Sequence, residues 1–178
     1  MQTIKYLTSL QGNDLSIKDS SNKTYLHLAA EANENESITN HLLSLNQIQI
    51  DAKDKDERTI LHLACKSKSV NLIKHLAKRP ELDINEHDSK GMNILHIACK
   101  EALDINVIRF IISLNKININ DKSNYRNTAL LYLCDNDNTS SDYIQIVKYF
   151  SSLKEVDLSV TNENKQNVLR ILCMNDNL

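Results

Sequence analysis

The chain has 178 residues, of which 41% are hydrophobic and 25% are charged, and its formal net charge at pH 7 is −2. These values are ordinary for a soluble fold, and the slight negative charge gives no electrostatic reason to expect nucleic acid as a partner. No apolar run approaches the roughly 18 residues that a membrane span requires. The first residues also lack the charged and then apolar layout of a secretion signal, so we expect no membrane insertion.

The first predicted element is a helix near residues 4–10, whose pattern returns at 147–153. A short phrase follows it and occurs five times. The first copy reads Thr-Tyr-Leu-His-Leu-Ala from Thr24. The later copies begin at Thr59, Asn93, Thr128 and Asn167. A fixed period of about 35 residues indicates a stack of structural repeats, which acts through its surface and not through a catalytic pocket.

Each phrase predicts the start of a helix. The Thr or Asn at its first position is a natural N-cap, because its side chain can accept a backbone N–H of the first turn. A second apolar stretch at helical spacing follows, such as Leu72, Ile73 and Leu76. Each unit is therefore predicted to contain a turn, a first helix, a loop and a second helix. The chain opens on a second helix and closes on a first helix, from Val168 to about Met174.

The phrase resembles the Thr-Pro-Leu-His-x-Ala signature of the ankyrin repeat, whose period is about 33 residues. The resemblance covers essentially the whole chain. It implies an all-α ankyrin-repeat solenoid of helix-turn-helix units with β-turn fingers, with about four full repeats plus a half repeat at each end. We predict a single domain over 1–178. Its units are predicted to span 1–13 (half), 14–48, 49–82, 83–117, 118–156 and 157–178 (half).

The resemblance also implies a left-handed backbone position near the tip of each finger. Only Gly91 supplies a glycine there. Asn22 is tolerable, whereas Glu57, Arg126 and Lys165 would each cost about 1 kcal/mol. We therefore expect distorted fingers in repeats two, four and five.

The four cysteines do not indicate a metal or disulfide site. Each follows the start of its phrase by six residues, so they occupy one equivalent core position in successive repeats. Neighbouring helices lie about 8–10 Å apart, which is too far for a disulfide or for a shared zinc ion. We expect buried, reduced thiols and hence a reducing compartment, the cytoplasm or the nucleus. The cysteines are Cys65, Cys99, Cys134 and Cys173.

Three histidines fall on the same step of successive phrases. They form a row and not a cluster, so one metal ion cannot reach them. We interpret each imidazole as hydrogen-bonded to the cap side chain three residues upstream and to a nearby backbone carbonyl. The resemblance implies the same structural role for the pairs Thr24–His27, Thr59–His62 and Asn93–His96.

No catalytic constellation is found in the sequence. Two glycines cannot build a phosphate-binding loop, and no Gly-x-Ser-x-Gly elbow exists. The His and Cys that lie three residues apart in the second and third copies are expected to face the core. We expect no catalytic residue, no cofactor and no metal ion.

The surface is the remaining candidate. Ankyrin-type solenoids bind partners along a concave face made by finger tips and first helices, and the middle of this face is basic here, which suits an acidic protein partner. Interface hot spots favour Arg, Tyr and desolvated apolar groups, so we expect one Arg, one Met and one Tyr to dominate, with lysines steering the partner. The predicted partner-binding residues are Arg58, Lys66, Lys90, Met92, Lys100, Tyr125 and Asn127.

We predict a monomeric, non-enzymatic module that binds a partner protein through this face. The alternative is a targeting or regulatory segment of a larger enzyme, channel or secreted effector. The half units at both ends favour that alternative, and we expect the chain to be a piece of a longer protein. A structural spacer is a further alternative, as is binding of phosphoinositide or nucleic acid through the central lysines, although the net charge argues against the latter. The polar segment 135–142 is interpreted as an inserted surface loop.

Overall fold

The computed structural model describes residues 2–10, 14–32, 36–45, 47–114, 116–135 and 141–174. Over these residues it contains helices and turns but no strand. The helices are α1 (Gln2–Ser9), α2 (Tyr25–Ala32), α3 (Glu36–Leu43), α4 (Ile60–Lys66), α5 (Val70–Leu76), α6 (Ile94–Lys100), α7 (Ile105–Ser113), α8 (Ala129–Cys134), α9 (Ser141–Ser152) and α10 (Val168–Met174). The predicted all-α repeat fold is confirmed. Most of the predicted loop at 135–142 lies outside the described residues.

The helices fall into two compact units, which we call unit 1 (Met1–Asp83) and unit 2 (Ile84–Leu178). In unit 1, α2 packs on α3 and α4, and α4 packs on α5. In unit 2, α6 packs on α7 and α8, while α8 packs on α9 and α10. Each unit therefore builds its own core from alternating first helices (α2, α4, α6, α8, α10) and second helices (α1, α3, α5, α7, α9).

Each first helix begins one residue after the Thr or Asn that opens its phrase. At α6 the Asn93 side-chain oxygen accepts hydrogen bonds from the N–H groups of Leu95 and His96, at 3.0 and 3.2 Å. At α8 the Thr128 hydroxyl accepts from the N–H of Leu131 at 3.3 Å. These side chains satisfy N–H groups that a helix start would otherwise leave unpaired.

The second helices contribute an aliphatic face at helical spacing. Leu72, Ile73 and Leu76 of α5 are buried, as are Val107 and Ile108 of α7. Burying a side chain of this kind stabilises a fold by about 1.5–3 kcal/mol relative to leaving it in water. The fingers, which begin each repeat, are therefore attached to helices that pack into the core.

The four cysteines differ in their exposure to solvent. Cys65, Cys99 and Cys134 are buried, whereas Cys173 is exposed. Burial raises the pKa of Cys65 to about 12 and that of Cys134 to about 11. The expectation that all four thiols occupy the core is wrong for Cys173, because no described residue after α10 covers its position.

Candidate functional site

Five loops of identical build stand in front of the first helices, and we call them fingers one to five. They are residues 19–23, 54–58, 88–92, 123–127 and 162–166. In every finger the N–H of the first residue donates to the carbonyl of the fifth, and the N–H of the fourth donates to the carbonyl of the first. All ten of these donor–acceptor distances lie between 2.8 and 3.0 Å.

The fourth residue of every finger has a left-handed backbone, whichever side chain it carries. Its φ is 69° at Gly91 and 57–59° at the other four positions. The expectation of distorted fingers in repeats two, four and five is therefore wrong. The fingers with Glu57, Arg126 and Lys165 keep the same hydrogen bonds and retain a left-handed residue at a cost of about 1 kcal/mol each.

A side chain at the first finger residue supports the turn in four of the five fingers. Its Oδ1 atom accepts hydrogen bonds from the N–H groups of the third and fifth residues, at 2.8–3.0 Å. Two such bonds contribute about 1–3 kcal/mol together, which is enough to hold the turn. The residues are Asp19, Asp54, Asp88 and Asn162. The sequence carried this signal, five residues before four of the five phrases, and sequence reasoning missed it.

Finger four departs from this pattern, because its first residue is Ser123. The Ser123 hydroxyl lies 3.0 Å from the hydroxyl of Tyr132 in α8. Tyr132 replaces the Leu or Ile of the other phrases, and its ring meets the His96 ring edge-on at 5.9 Å. Ser123 and Tyr132, the two residues that differ in repeat four, therefore act together, because the tyrosine hydroxyl holds the finger. Sequence reasoning also missed this feature.

Successive fingers are tied to each other within each unit. The N–H of Asn124 donates to the carbonyl of Lys90 at 3.0 Å, and the Asn124 amide donates to the carbonyl of Ser89 at 3.1 Å. A Cβ atom at Gly91 would lie 2.5 Å from Oδ1 and 2.8 Å from the backbone nitrogen of Asn124. Glycine is therefore required at position 91 for close approach as well as for its φ. In unit 1 the N–H of Lys55 donates to Ser21 in the same way.

Two of the phrase histidines also link neighbouring repeats. Nε2 of His27 lies 3.2 Å from the carbonyl of Arg58 in finger two. Nε2 of His96 lies 3.0 Å from the carbonyl of Asp121, two residues before finger four. Because a carbonyl can only accept, Nε2 carries the proton in both rings. The Nδ1 atoms then accept the backbone N–H of Thr24 and of Asn93, at 3.3 and 3.2 Å.

The third phrase histidine makes the corresponding bond to its cap residue. The N–H of Thr59 donates to Nδ1 of His62 at 3.1 Å. Burial lowers the pKa of His27 and of His96 below the ordinary histidine value, although their carbonyl partners act in the opposite direction. The rings of His27 and His96 are therefore neutral at pH 7. Among the described residues no group of three or more His, Cys, Asp or Glu could hold a metal ion.

Three predicted partner-binding residues share one position. It is the fifth and last residue of a finger, shortly before the first helix begins. They are Arg58, Met92 and Asn127. Met92 is only 3% exposed, so the expectation that its side chain lies on the surface is wrong. The base of the finger is partly covered in every repeat, and an apolar side chain placed there packs inward. Asn127 is half-buried, and its side-chain oxygen is buried without a hydrogen-bond partner.

Arg58 is held by carboxylates of its own finger. Its guanidinium contacts Oδ2 of Asp54 at 2.8 Å and Oδ2 of Asp56 at 2.8 Å, and its side chain is 17% exposed. Burial alone would raise the pKa of Asp54, but the hydrogen bonds and charge of Arg58 outweigh it and hold the pKa below its usual value. The guanidinium therefore braces finger two.

The other predicted residues lie at the surface. Lys90 and Tyr125 occupy the same position, the third residue, at the tips of fingers three and four, and Tyr125 is 47% exposed. Lys66 and Lys100 are exposed at the ends of α4 and α6. The ammonium of Lys100 lies 5.5 Å from the centre of the Tyr132 ring, within the range of a cation–π contact. Unit 2 thus carries Lys90 and Tyr125 on adjacent finger tips and Lys100 at the end of a first helix.

The repeat geometry agrees with what the sequence matches. Residues 1–88 match the family model for ankyrin repeats in three copies. Residues 1–88 carry ankyrin repeats. The fingers, paired helices and neutral cap histidines described above are the parts of these repeats. No curated protein matches the sequence.

The ankyrin fold is also shared with solved structures. One of 447 matching chains comes from the complex of the predatory endopeptidase Bd0816 from Bdellovibrio bacteriovorus with the immunity protein Bd3460. The two chains are 22% identical with a TM-score of 0.79, and the match covers 99% of this chain and 87% of the other. At that identity the likeness shows the ankyrin fold alone. No described helix is long and apolar enough to cross a membrane.

Proposed function

We propose that this ankyrin-repeat chain is a non-enzymatic protein-binding module whose binding surface lies on the fingers and first helices of unit 2. The observation that carries the proposal is the pair of tip residues Lys90 and Tyr125. Both are exposed, and they stand on adjacent fingers that a hydrogen bond from Asn124 to Lys90 joins at 3.0 Å. An exposed tyrosine beside a cation has the composition of an interface hot spot.

The tips of fingers three and four are held by backbone hydrogen bonds without any partner. The carbonyl of Tyr125 accepts the N–H of Glu163 in finger five at 3.3 Å, so finger four is tied on both sides. The finger itself is closed by two internal backbone bonds. A partner would not have to order this loop, and the entropy that binding normally loses in loop ordering is reduced.

The charge of this surface indicates the chemistry of the partner. Lys90, Lys100 and Arg126 are exposed on unit 2, and the carboxylate of Asp121 is engaged by His87 at 2.6 Å and by Asn93 at 2.9 Å. Exposed cations accelerate the association of an oppositely charged partner. The surface therefore suits an acidic protein segment.

The same structure supports a binding role over catalysis. The thiols of Cys65 and Cys99 are fully buried, and burial raises the pKa of both. A nucleophilic cysteine needs exposure and a lowered pKa. The ring nitrogens of the phrase histidines are already hydrogen-bonded to cap residues and, in His27 and His96, to backbone carbonyls. Ankyrin repeats suggest protein–protein interaction, and the similar solved chain comes from a complex of two proteins, which supports the class of partner.

The test is a quantitative affinity capture from the lysate of the source cell with three versions of the chain. The wild type is compared with Lys90→Ala/Tyr125→Ala in unit 2 and with the matched control Lys55→Ala/Tyr6→Ala in unit 1, whose side chains are also exposed. We expect one protein to be retained by the wild type and the control and to fall by about 30-fold with the unit 2 variant, because a hot spot contributes about 2 kcal/mol. Circular dichroism checks that all three are folded.

Two results would contradict the proposal. A partner retained equally by all three chains would place its site elsewhere on the molecule. A partner lost equally from both variants would show that exposed Lys and Tyr contribute without regard to position.

A further inference from the structure

The end of helix α5 in unit 1 differs from the ends of the other second helices. Just after every second helix, one backbone N–H donates to the carbonyl three residues earlier, at 2.9–3.3 Å. In four of the five cases the donor is a leucine that follows a serine. These Ser-Leu pairs are residues 9–10, 44–45, 113–114 and 152–153. After α5 the same two positions carry Lys78 and Arg79.

This exchange gives up a local hydrogen bond. At the other four helix ends the serine hydroxyl donates to the carbonyl three residues earlier, at 2.6–2.7 Å. Lys78 has no hydroxyl to repeat this bond, and it is exposed. Lys78 and Arg79 therefore do not serve the helix end in the way that serine and leucine do.

Basic side chains surround a recess at this helix end. Its volume is about 480 Å³, which is the size of a small-molecule site. Apart from one proline, every side chain that lines it is ionisable, so the recess suits a charged ligand and not an apolar one. The lining residues are Lys74, His75, Lys78, Arg79, Pro80 and Glu81.

The cations of this recess are not paired with carboxylates. Among the residues that the structure describes, none forms an ion pair with Lys74, Lys78 or Arg79. By contrast, Lys23 and Arg58 of the same unit both contact carboxylates. One cation beside a helix C-terminus interacts favourably with the last carbonyls, but three cations in one recess repel each other. An anion in the recess would remove that repulsion.

The backbone of Arg79 is held on both sides. Its N–H donates to the carbonyl of Leu76 at 2.9 Å, and its carbonyl accepts from the N–H of Leu82 at 3.2 Å. Pro80, the single proline of the chain, follows Arg79 and restricts the backbone of the residue before it. The base of the arginine side chain is therefore fixed at the recess.

The guanidinium of Arg79 is oriented by a histidine. Its Nη2 atom lies 3.4 Å from Nε2 of His75. A guanidinium can only donate, so Nε2 of His75 is the acceptor, and the contact orients the guanidinium without cancelling its charge. A guanidinium that is already in place loses less entropy when it binds a ligand.

We propose that this recess binds a small soluble ligand that carries phosphate groups. The planar guanidinium of Arg79 can pair with two phosphate oxygens, and the ammonium groups of Lys74 and Lys78 supply further positive charge. The exposed carboxylate of Glu81 in the wall opposes a flat anionic membrane surface, whereas a compact ligand contacts the cations alone. The site lies in unit 1 and does not depend on the binding surface proposed for unit 2.

The experiment is isothermal titration calorimetry of the full chain with pyrophosphate, with three variants. Lys78→Ser/Arg79→Leu introduces the pair that the other second helices carry, so the fold is expected to tolerate it. Arg79→Lys keeps the charge but removes the planar fork. The matched control is Lys148→Ser/Lys154→Leu, which removes two exposed cations at α9. Circular dichroism checks folding.

We expect the wild type and the control to bind pyrophosphate with equal affinity. Binding by Lys78→Ser/Arg79→Leu is expected to be about 30-fold weaker, because two charged hydrogen-bond donors are lost. Binding by Arg79→Lys is expected to be about 5-fold weaker, since an ammonium cannot pair with two oxygens in one plane. Pyrophosphate is also expected to raise the melting temperature of the wild type and the control, but not that of Lys78→Ser/Arg79→Leu.

Three results would overturn the proposal. The first is no binding of pyrophosphate by the wild type at about 10 mM, where even a weak site would be filled. The second is equal weakening in Lys78→Ser/Arg79→Leu and in the control, which would assign the binding to diffuse charge. The third is unchanged binding by Arg79→Lys, which would show that the guanidinium forms no paired contact.

A separate arm of the experiment tests the source of the phosphate. Vesicles that contain phosphorylated inositol lipids are offered to the wild type and to Lys78→Ser/Arg79→Leu. Capture of the wild type by these vesicles without any binding of pyrophosphate would assign the recess to a membrane surface and would also overturn the proposal.

Discussion

The fingers of unit 1 and unit 2 share one backbone frame but use their charged side chains differently. In unit 1 the guanidinium of Arg58 contacts Asp54 and Asp56, and Lys23 contacts Glu31 at 2.5 Å. In unit 2 the side chain of Lys90 forms no ion pair with any residue that the structure describes, and it stands beside the exposed Tyr125. Arg58 and Lys23 in unit 1 therefore contact carboxylates of the fold, whereas we propose that Lys90 in unit 2 is available to a partner.

The sharpest way to break this comparison is to change the first finger residue in each unit. Asp54→Ala is expected to lower the free energy of unfolding by about 3 kcal/mol, because it leaves the mostly buried guanidinium of Arg58 without its inner partner. Two finger N–H groups lose their acceptor as well. Ser123→Ala removes a single hydrogen bond to Tyr132 and is expected to lower it by about 1 kcal/mol.

Urea denaturation of both variants measures the difference, with Asp56→Ala as the control for a finger carboxylate that is exposed. That control is expected to change stability by less than about 1 kcal/mol. Equal losses for Asp54→Ala and Ser123→Ala would show that the ion pair contributes nothing beyond a neutral hydrogen bond.

Substituting the fourth finger residue is expected to change stability by a smaller amount, with opposite sign in the two units. Gly91→Ala is expected to destabilise by about 2 kcal/mol, because alanine is strained at this φ and its Cβ collides with Asn124. Glu57→Gly in unit 1 is expected to stabilise by about 0.5 kcal/mol, since relief of left-handed strain exceeds the entropy that glycine adds to the unfolded chain. Thermal unfolding measures both, and destabilisation by Glu57→Gly would contradict the account of finger strain.

Lowering the pH is expected to destabilise both units first and to destabilise unit 1 again at a lower pH. The folded pKa values of His27 and His96 lie below the ordinary value of about 6.5. The unfolded chain therefore binds more protons as the pH falls below that value, and stability that is complete above it is lost through the folded pKa. The pKa of Asp54 is also lowered, so its contribution persists until the pH falls below about 4.

Hydrogen exchange resolved along the chain measures this order, at pH 7.5, at about pH 5.5 and at about pH 3.5. Protection is expected to fall in both units at the first step and more in unit 1 at the second. The variants His27→Gln and His96→Gln should each flatten the first step. A first step that neither variant alters would assign it to other groups.

The repeat fold could be predicted from the sequence because its signals are local. The phrase beginning at Thr24 contains its own N-cap and its own helix start, and five copies exclude chance. The predicted start of the last helix at Val168 is confirmed for the same reason. The resemblance to ankyrin repeats also indicated a left-handed backbone position at Glu57 and Arg126, although the expected distortion of those fingers is wrong.

The proposed binding surface could be predicted only in part from the sequence. The residues of a finger follow no helical or strand period, so spacing does not separate inward from outward side chains. Lys90 and Met92 are two residues apart in finger three, yet the first is exposed and the second is buried. Arg58 is assigned to the surface by its charge, but the carboxylates of Asp54 and Asp56 draw it into the finger. Such outcomes depend on distances across a folded loop, which spacing along the chain does not encode.

The separation of frame and tip within a finger has a consequence for how such a chain can change. Backbone bonds and the first finger residue hold the frame, while the third residue contributes its backbone and, in finger two, also the Asp56 carboxylate that contacts Arg58. That third residue is different in every finger: Ser21, Asp56, Lys90, Tyr125 and Asn164. Five unlike side chains are thus accommodated on one scaffold, so the tips can be exchanged singly for a new specificity without any repair elsewhere in the fold.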